Sequence, residues 1–253
     1  MIFWNKKKEV ILDCFTWSEI AFENAKIERA SKYFPEWWKK LSKTVSDGRG
    51  TIKNCVGFTE YYKRGIIIPS WFEMNLIIRS FKNTEQLFAW EVSNKDVSTE
   101  DSHTSDQFNG FSIHENYSTH NIKFCSPWHL KTKDEIYFSW SQPIWNQQSL
   151  ASKLTLVPGI TEFKYQHAAE LNYFFCRKEE DELINIPPLT PLAILHPMTE
   201  KKIVLKHHLI SREEFSKKFD NKMLLFNNNF YKKKRKLADM QESQKKKCPF
   251  HYD

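Results

Sequence analysis

From Gly65 to about residue 210 the chain is a succession of short apolar runs, each closed by proline, asparagine, aspartate or a polar cluster. Ile66-Ile67-Ile68 ends at Pro69, Phe72 to Phe81 places its apolar residues on alternate or adjacent positions, and Gln86 to Val92 repeats that period. Further strand-like runs recur at 120–125, 134–140, 150–157, 160–165, 171–177, 190–197 and 201–208. Runs this short, alternating with period two and separated by turn-forming residues, predict strands rather than helices. Seven or more of them without helices between predict a mainly β fold, an antiparallel β-sandwich or jelly roll, and exclude alternating βαβ units. Glycine points the same way. Six in 253 residues, against a usual share of ~7%, leaves little material for the phosphate-cradling loops of Rossmann and P-loop enzymes.

Residues 1–65 read differently. Val10 to Phe15 suits an opening strand, and Ser18 can cap a helix whose apolar stripe (Phe22, Ala25, Ala30, Tyr33, Phe34) is ragged and is broken by Pro35. Pro35 fits the first position of a short helix through Leu41. A second runs from about Asn54 through Tyr62 to Gly65, a suitable left-handed stop. The segment 1–65 is therefore expected as short helices and loops packed on a sandwich formed by 66–210, with 93–109 as its longest loop. Ser211 and Glu214 form a capping box that opens a helix over 211–230. Residues 231–253 read as an exposed, mobile basic tail.

Charge is concentrated in that last part. Residues 211–253 carry twelve Lys and Arg against six acids, a net +6 of the total +7, so the body is nearly neutral. Lys232, Lys233, Lys234, Arg235 and Lys236 would give a non-specific tether to nucleic acid or an acidic partner, or equally a solubilising tail. Lysine outnumbers arginine, which an AT-rich genome produces without functional selection, and no motif for base-specific readout is present. Five widely spaced cysteines with no C-x-x-C pair read as reduced thiols. With no signal-peptide order at the start and no apolar run near ~20 residues, a soluble, non-membrane protein of the cytoplasm or of a virion is expected.

The familiar catalytic spacings do not occur: no G-x-S-x-G, H-E-x-x-H, Walker A or EF-hand pattern is present. Cys125 and His129 are the nearest approach to a thiol–imidazole pair, although a cysteine at a strand end is usually a small buried hydrophobe. A non-haem iron site in a jelly roll needs two histidines and a carboxylate from separate strands. This chain has no H-x-D or H-x-E, and His103, His167 and His196, each near an element end, form the group that would serve as ligands; hydrogen-bonded or surface histidines are the simpler reading. Cys248 and His251 would make only half a metal site. Among the many aromatics, Trp37-Trp38 before Lys39-Lys40 is the sharpest surface candidate. Adjacent tryptophans on a helix cannot both face inward, so one of them is expected at the surface or an interface. Trp128 and His129 complete the set of candidate binding residues.

Pro35 to Leu41, Thr51 to Phe58 continuing to Gly65 and Pro69, the Ser126-Pro127-Trp128 turn and Pro191 to Pro197 together resemble an uncharacterised family of tailed-phage proteins, many from marine phages, with bacterial relatives. The resemblance covers about residues 35–210. It implies a β-rich fold and a phage origin, and no activity is assigned to the family. Two functions follow as expectations: a non-catalytic binding protein without a cofactor, serving as a phage-encoded accessory or virion component with a protein partner or virion neighbours, or alternatively a cupin-like iron-dependent oxygenase with histidine ligands.

Overall fold

The computed structural model of the chain describes residues 9–78, 88–92, 100–101, 117–146, 148–176 and 181–219, together with 235–237, 239–240 and 243. In chain order the strands are β1 (Glu9–Thr16), β2 (Glu28–Arg29), β3 (Ile66–Pro69), β4 (Met74–Ile78), β5 (Phe88–Val92), β6 (Glu100–Asp101) and β7 (Tyr117–Lys131). They continue as β8 (Phe138–Ser141), β9 (Leu154–Leu156), β10 (Gly159–Thr161), β11 (Ala168–Cys176), β12 (Glu182–Ile186), β13 (Pro191–Pro197) and β14 (Lys202–Leu209). The helices are short: α1 (Glu19–Asn24), α2 (Glu36–Lys40), α3 (Val56–Arg64), α4 (Gln148–Ala151) and α5 (Arg212–Phe219).

The fold is mainly β and sandwich-like. One sheet runs β14-β1-β7-β11-β9, with β6 also paired to β7; a second runs β10-β8-β13-β3-β2; a third is β12-β4-β5. Inward side chains of the first sheet (Leu12, Phe124, Leu171, Tyr173) meet those of the second (Ile66, Ile68, Phe138, Leu195) in one hydrophobic cluster. The second sheet is buried on its other face too. Ile67 and Ile194 turn away from the inter-sheet core and pack with Ala30, Phe58 and Tyr62. That double burial is why Ile66-Ile67-Ile68 is a continuous apolar run instead of an alternating one.

Several details depart from the sequence reading. The first 65 residues do more than pack on the sandwich: β1 lies inside the first sheet, with β14 on one side and β7 on the other, and β2 extends the second. The β1–β14 pairing is parallel over eight residues, Glu9↔Lys202 to Thr16↔Leu209, within otherwise antiparallel sheets. Strand spacing carries no signal for such a pair, since its partners lie at opposite ends of the sequence. Ser126-Pro127-Trp128 is no turn. It is extended within β7, where the register against β11 shifts between Ala168 and Glu170. The bulge accommodates Pro127, which has no N–H to give a ladder. The run 150–157 divides into the end of α4 and β9, 160–165 leaves β10 for a turn after Thr161, and β12 had not been expected.

Gly65 ends α3 but with φ −70°, outside the left-handed region. It is needed for close approach: a Cβ there would lie 2.5 Å from Ile194 Cδ1 and 2.8 Å from the Tyr61 carbonyl oxygen. The capping box forms as read, with Ser211 Oγ accepting from the Glu214 N–H (3.1 Å) and Glu214 Oε2 accepting from the Ser211 N–H (3.2 Å). The continuation of that helix beyond Phe219 and Lys232–Lys234 lie outside the described residues. Part of the tail expected to be free meets the body: Arg235 lies over the Tyr165 ring at 5.4 Å, and the Tyr165 hydroxyl donates to Asp239 Oδ1 (2.9 Å). Arg235 and Lys236 are nonetheless exposed.

Candidate functional site

α2 is held by little within itself. Its five residues follow Pro35, and its Glu36–Lys39 ion pair is solvent-exposed, a contact worth ~0–1 kcal/mol at most. Packing places it instead. Successive helical residues point about 100° apart, so Trp37 and Trp38 take different surroundings. Trp38 stacks on Phe34 (4.3 Å between ring centroids, 17° between planes) and on Phe58 (5.6 Å, 17°), and Lys53 sits over its ring. Trp37 stays 37% exposed. It stands edge-on to Phe58 (5.7 Å), and its Nε1–H donates to the Trp145 carbonyl oxygen (3.2 Å). The expectation that one of the pair would be at the surface is met by Trp37.

The loop carrying Trp145 is pinned by Asn146. Its Oδ1 accepts from the Tyr62 hydroxyl (2.7 Å) and its Nδ2–H donates to the Tyr33 carbonyl (2.6 Å), tying the loop to α3 and to the turn before α2. Burial, with a smaller contribution from the Glu28 charge, pushes the Tyr33 phenol up to about 12. Tyr33, Phe34, Trp37 and Trp145 thereby line an open groove of about 610 Å³, with Lys32, Glu36 and Lys39 along it. Lys32 is paired with Glu28 (2.6 Å). The Lys39 ammonium, chiefly by hydrogen bonding, holds the exposed Glu36 carboxyl below the usual range. Flat rings fixed by neighbours on several sides, with charged side chains beside them, can stack on or bury an apolar group at small entropic cost. Trp145 and Asn146 were missed in the sequence, where a Pro143-Ile144-Trp145-Asn146 turn carries no local sign of contact with α2.

The other candidates are elsewhere. Trp128 is not a binding residue. Ile122, Phe124, Ser126, Trp128 and Leu130 all point inward from β7; the indole is fully buried and its Nε1–H donates to the Ala25 carbonyl (2.9 Å). His129, on the opposite face, packs against Phe215 and Phe219 of α5 (4.6 and 4.9 Å). Cys125 and His129 both lie on β7, on either side of the register shift against β11. The buried Cys14 thiol is pushed well above its ordinary value, chiefly by desolvation.

His167 Nδ1 bonds the Leu130 carbonyl (3.0 Å) beside the first sheet, and His196 Nε2 bonds the Tyr61 carbonyl (2.9 Å) from the second. His103 lies outside the described residues, as do Cys248 and His251. Among the described residues no three His, Cys, Asp or Glu side chains converge as a metal site, and no helix is long and apolar enough to cross a membrane. In comparisons with known proteins, no family model, curated protein or solved structure matches the chain.

Two histidines have a consequence for stability. Burial lowers the pKa of His196, with Arg64 adding to it and the Tyr61 carbonyl opposing; burial likewise dominates at His207, whose Nε2 bonds the Ile27 carbonyl (2.7 Å). Below their ordinary value of 6.5 the unfolded chain binds more protons at these sites than the folded chain. Their contribution is therefore complete above about pH 6.5 and declines as pH falls through that value toward the lower folded pKa. Urea midpoints should drop between about pH 7.5 and about pH 5.5, and His196→Gln should flatten that slope. An unchanged slope in His196→Gln would remove His196 from the account.

Proposed function

We propose that the chain is a non-catalytic β-sandwich binding protein, a phage-encoded accessory protein or virion component, which seats a protein partner on the Trp37 groove and needs no cofactor. The observation that carries this reading is Trp37 itself: a 37% exposed indole held by Phe58 and the Trp145 carbonyl. Interface hot spots have this anatomy, a tryptophan or tyrosine anchor kept rigid and flanked by charged rim residues. The basic run Lys232–Lys236 would add a separate, non-specific and salt-sensitive attraction to nucleic acid.

The test is purification of the full-length chain from cells that also produce its neighbouring gene products, with any stoichiometric companion identified by mass spectrometry. Trp37→Ala should weaken that association by roughly 30-fold or more, the ~2 kcal/mol of a hot spot, while the melting temperature stays within a few degrees because the ring is already partly solvated. A companion retained at full affinity by Trp37→Ala would refute the assignment of the groove.

A further inference from the structure

On the other side of the turn at Ala30–Tyr33 lies a second open groove, of about 460 Å³. Three parts of the chain form it. Pairing of β2 with β3 sets Arg29 opposite Ile66, the last turn of α3 brings Lys63 and Arg64, and the β13–β14 turn with the start of β14 brings Lys201 and Lys202. The five cations face two acids, Glu60 and Glu200. Arg64 is spent on Glu200 (2.9 Å) and on the Thr199 carbonyl (2.9 Å), and Lys63 reaches Glu60 at 3.4 Å. Lys202 and Lys201 touch Glu9 and Asp134 outside the groove, at 3.2 and 3.9 Å.

Arg29 differs from these. Its Nη2 donates to the Ile203 carbonyl, and among the described residues no carboxylate lies within ion-pair distance. Glu28, its neighbour in sequence, is taken by Lys32. The guanidinium is only part-exposed, and its burial lowers its pKa. A partly desolvated charge is costly unless it meets an opposite charge or full hydrogen bonding, and one carbonyl leaves four of the five N–H donors of Arg29 to be satisfied. Water can serve some of them. Inside a groove of net positive charge, an oxyanion serves them better, because arginine presents a planar fork that matches phosphate oxygens in pairs.

We propose that this groove is an oxyanion site that takes a phosphate group, with Arg29 as the central donor and Lys63 and Lys202 as rim charges. The phosphate can come from a free phosphate or phosphorylated small molecule, or from the backbone of a nucleic-acid strand. The residues that form it are separate from those that line the Trp37 groove.

Calorimetric titration of the full-length protein with inorganic phosphate, and anisotropy with a labelled single-stranded oligothymidine, separate the two sources. A parallel set uses a full-length variant with Lys232, Lys233, Lys234 and Lys236 changed to Gln, so that the tail does not mask the groove. Arg29→Gln should weaken whichever ligand binds by about tenfold or more, as loss of a charge-assisted hydrogen bond implies. Lys63→Gln combined with Lys202→Gln, which leaves Arg29 and its Ile203 contact in place, should weaken binding several-fold and reduce its salt dependence. If Arg29→Gln fails to fold, the lysine pair decides. Binding of phosphate assigns a small-ligand site, and Arg29-dependent binding of the oligonucleotide alone assigns a strand-binding one. The proposal is overturned if the wild type binds neither, or if binding is unchanged in both the Arg29 and the lysine variants.

Discussion

Trp128→Ala should lower the free energy of unfolding by about 3–5 kcal/mol, a large fraction of a total stability in the usual range of ~5–15 kcal/mol. The indole is fully buried in the core between the sheets, against Phe22 and edge-on to His207. Truncation leaves a cavity and removes the donor that satisfies the Ala25 carbonyl. Trp128→Phe should cost less, since it keeps most of the apolar contact and forfeits mainly the hydrogen bond, a net of ~0.5–1.5 kcal/mol plus packing losses. Urea denaturation provides the comparison. A Trp128→Ala variant within about 0.5 kcal/mol of wild type, the range of ordinary surface substitutions, would show that this side chain is not part of the core.

Gly65→Ala carries the second large effect, a destabilisation of about 1–3 kcal/mol through overpacking. The backbone itself is no obstacle, because φ −70° and ψ 157° suit any residue. The obstacle is steric: the added Cβ meets Ile194 Cδ1 at 2.5 Å and the Tyr61 carbonyl oxygen at 2.8 Å. Gly65 also joins two contacts that place the candidate site, its N–H donating to the Tyr61 carbonyl (3.2 Å) and its own carbonyl accepting from the Ala30 N–H (2.9 Å). Ile194→Val in the Gly65→Ala background removes Cδ1 and should recover part of the loss, but not the part due to the Tyr61 oxygen or to Cγ1 of residue 194, which stands 2.9 Å from the added Cβ. Strict additivity of the two substitutions, against the coupling expected of touching residues, would show that the contact with Ile194 Cδ1 is not the cause. The measurement is again the urea midpoint of single and double variants.

How much was legible can be argued from these positions. On β7 the inward set Ile122, Phe124, Trp128 and Leu130 has period two in the sequence, but Pro127 looks like a stop. Only a register shift against β11 lets the strand continue through it. Gly65 was readable as a helix end and misread in its cause, because a left-handed cap and a close approach both require the same residue. The Trp37-Trp38 pair was readable as split between inside and outside, since helical geometry makes that choice locally. Which of the two is outside depends on Phe34 and Phe58 offering a stacking surface to Trp38, and no short-range pattern encodes that.

Period and punctuation, which are local, were sufficient for the class of fold: short alternating runs bounded by turn residues can bury their faces only as a sheet on a sheet. The capping box of α5 was likewise complete within four residues. Tertiary structure decided the rest, because it depends on partners distant in the chain. It paired β1 in parallel with β14, drew Trp145 and Asn146 to α2 and α3 across about a hundred positions, and set Arg29 against the Ile203 carbonyl. A residue's own type specifies how much surface it gains by burial and which hydrogen bonds it can make. Which neighbours satisfy it is settled only when the whole set of strands packs at once.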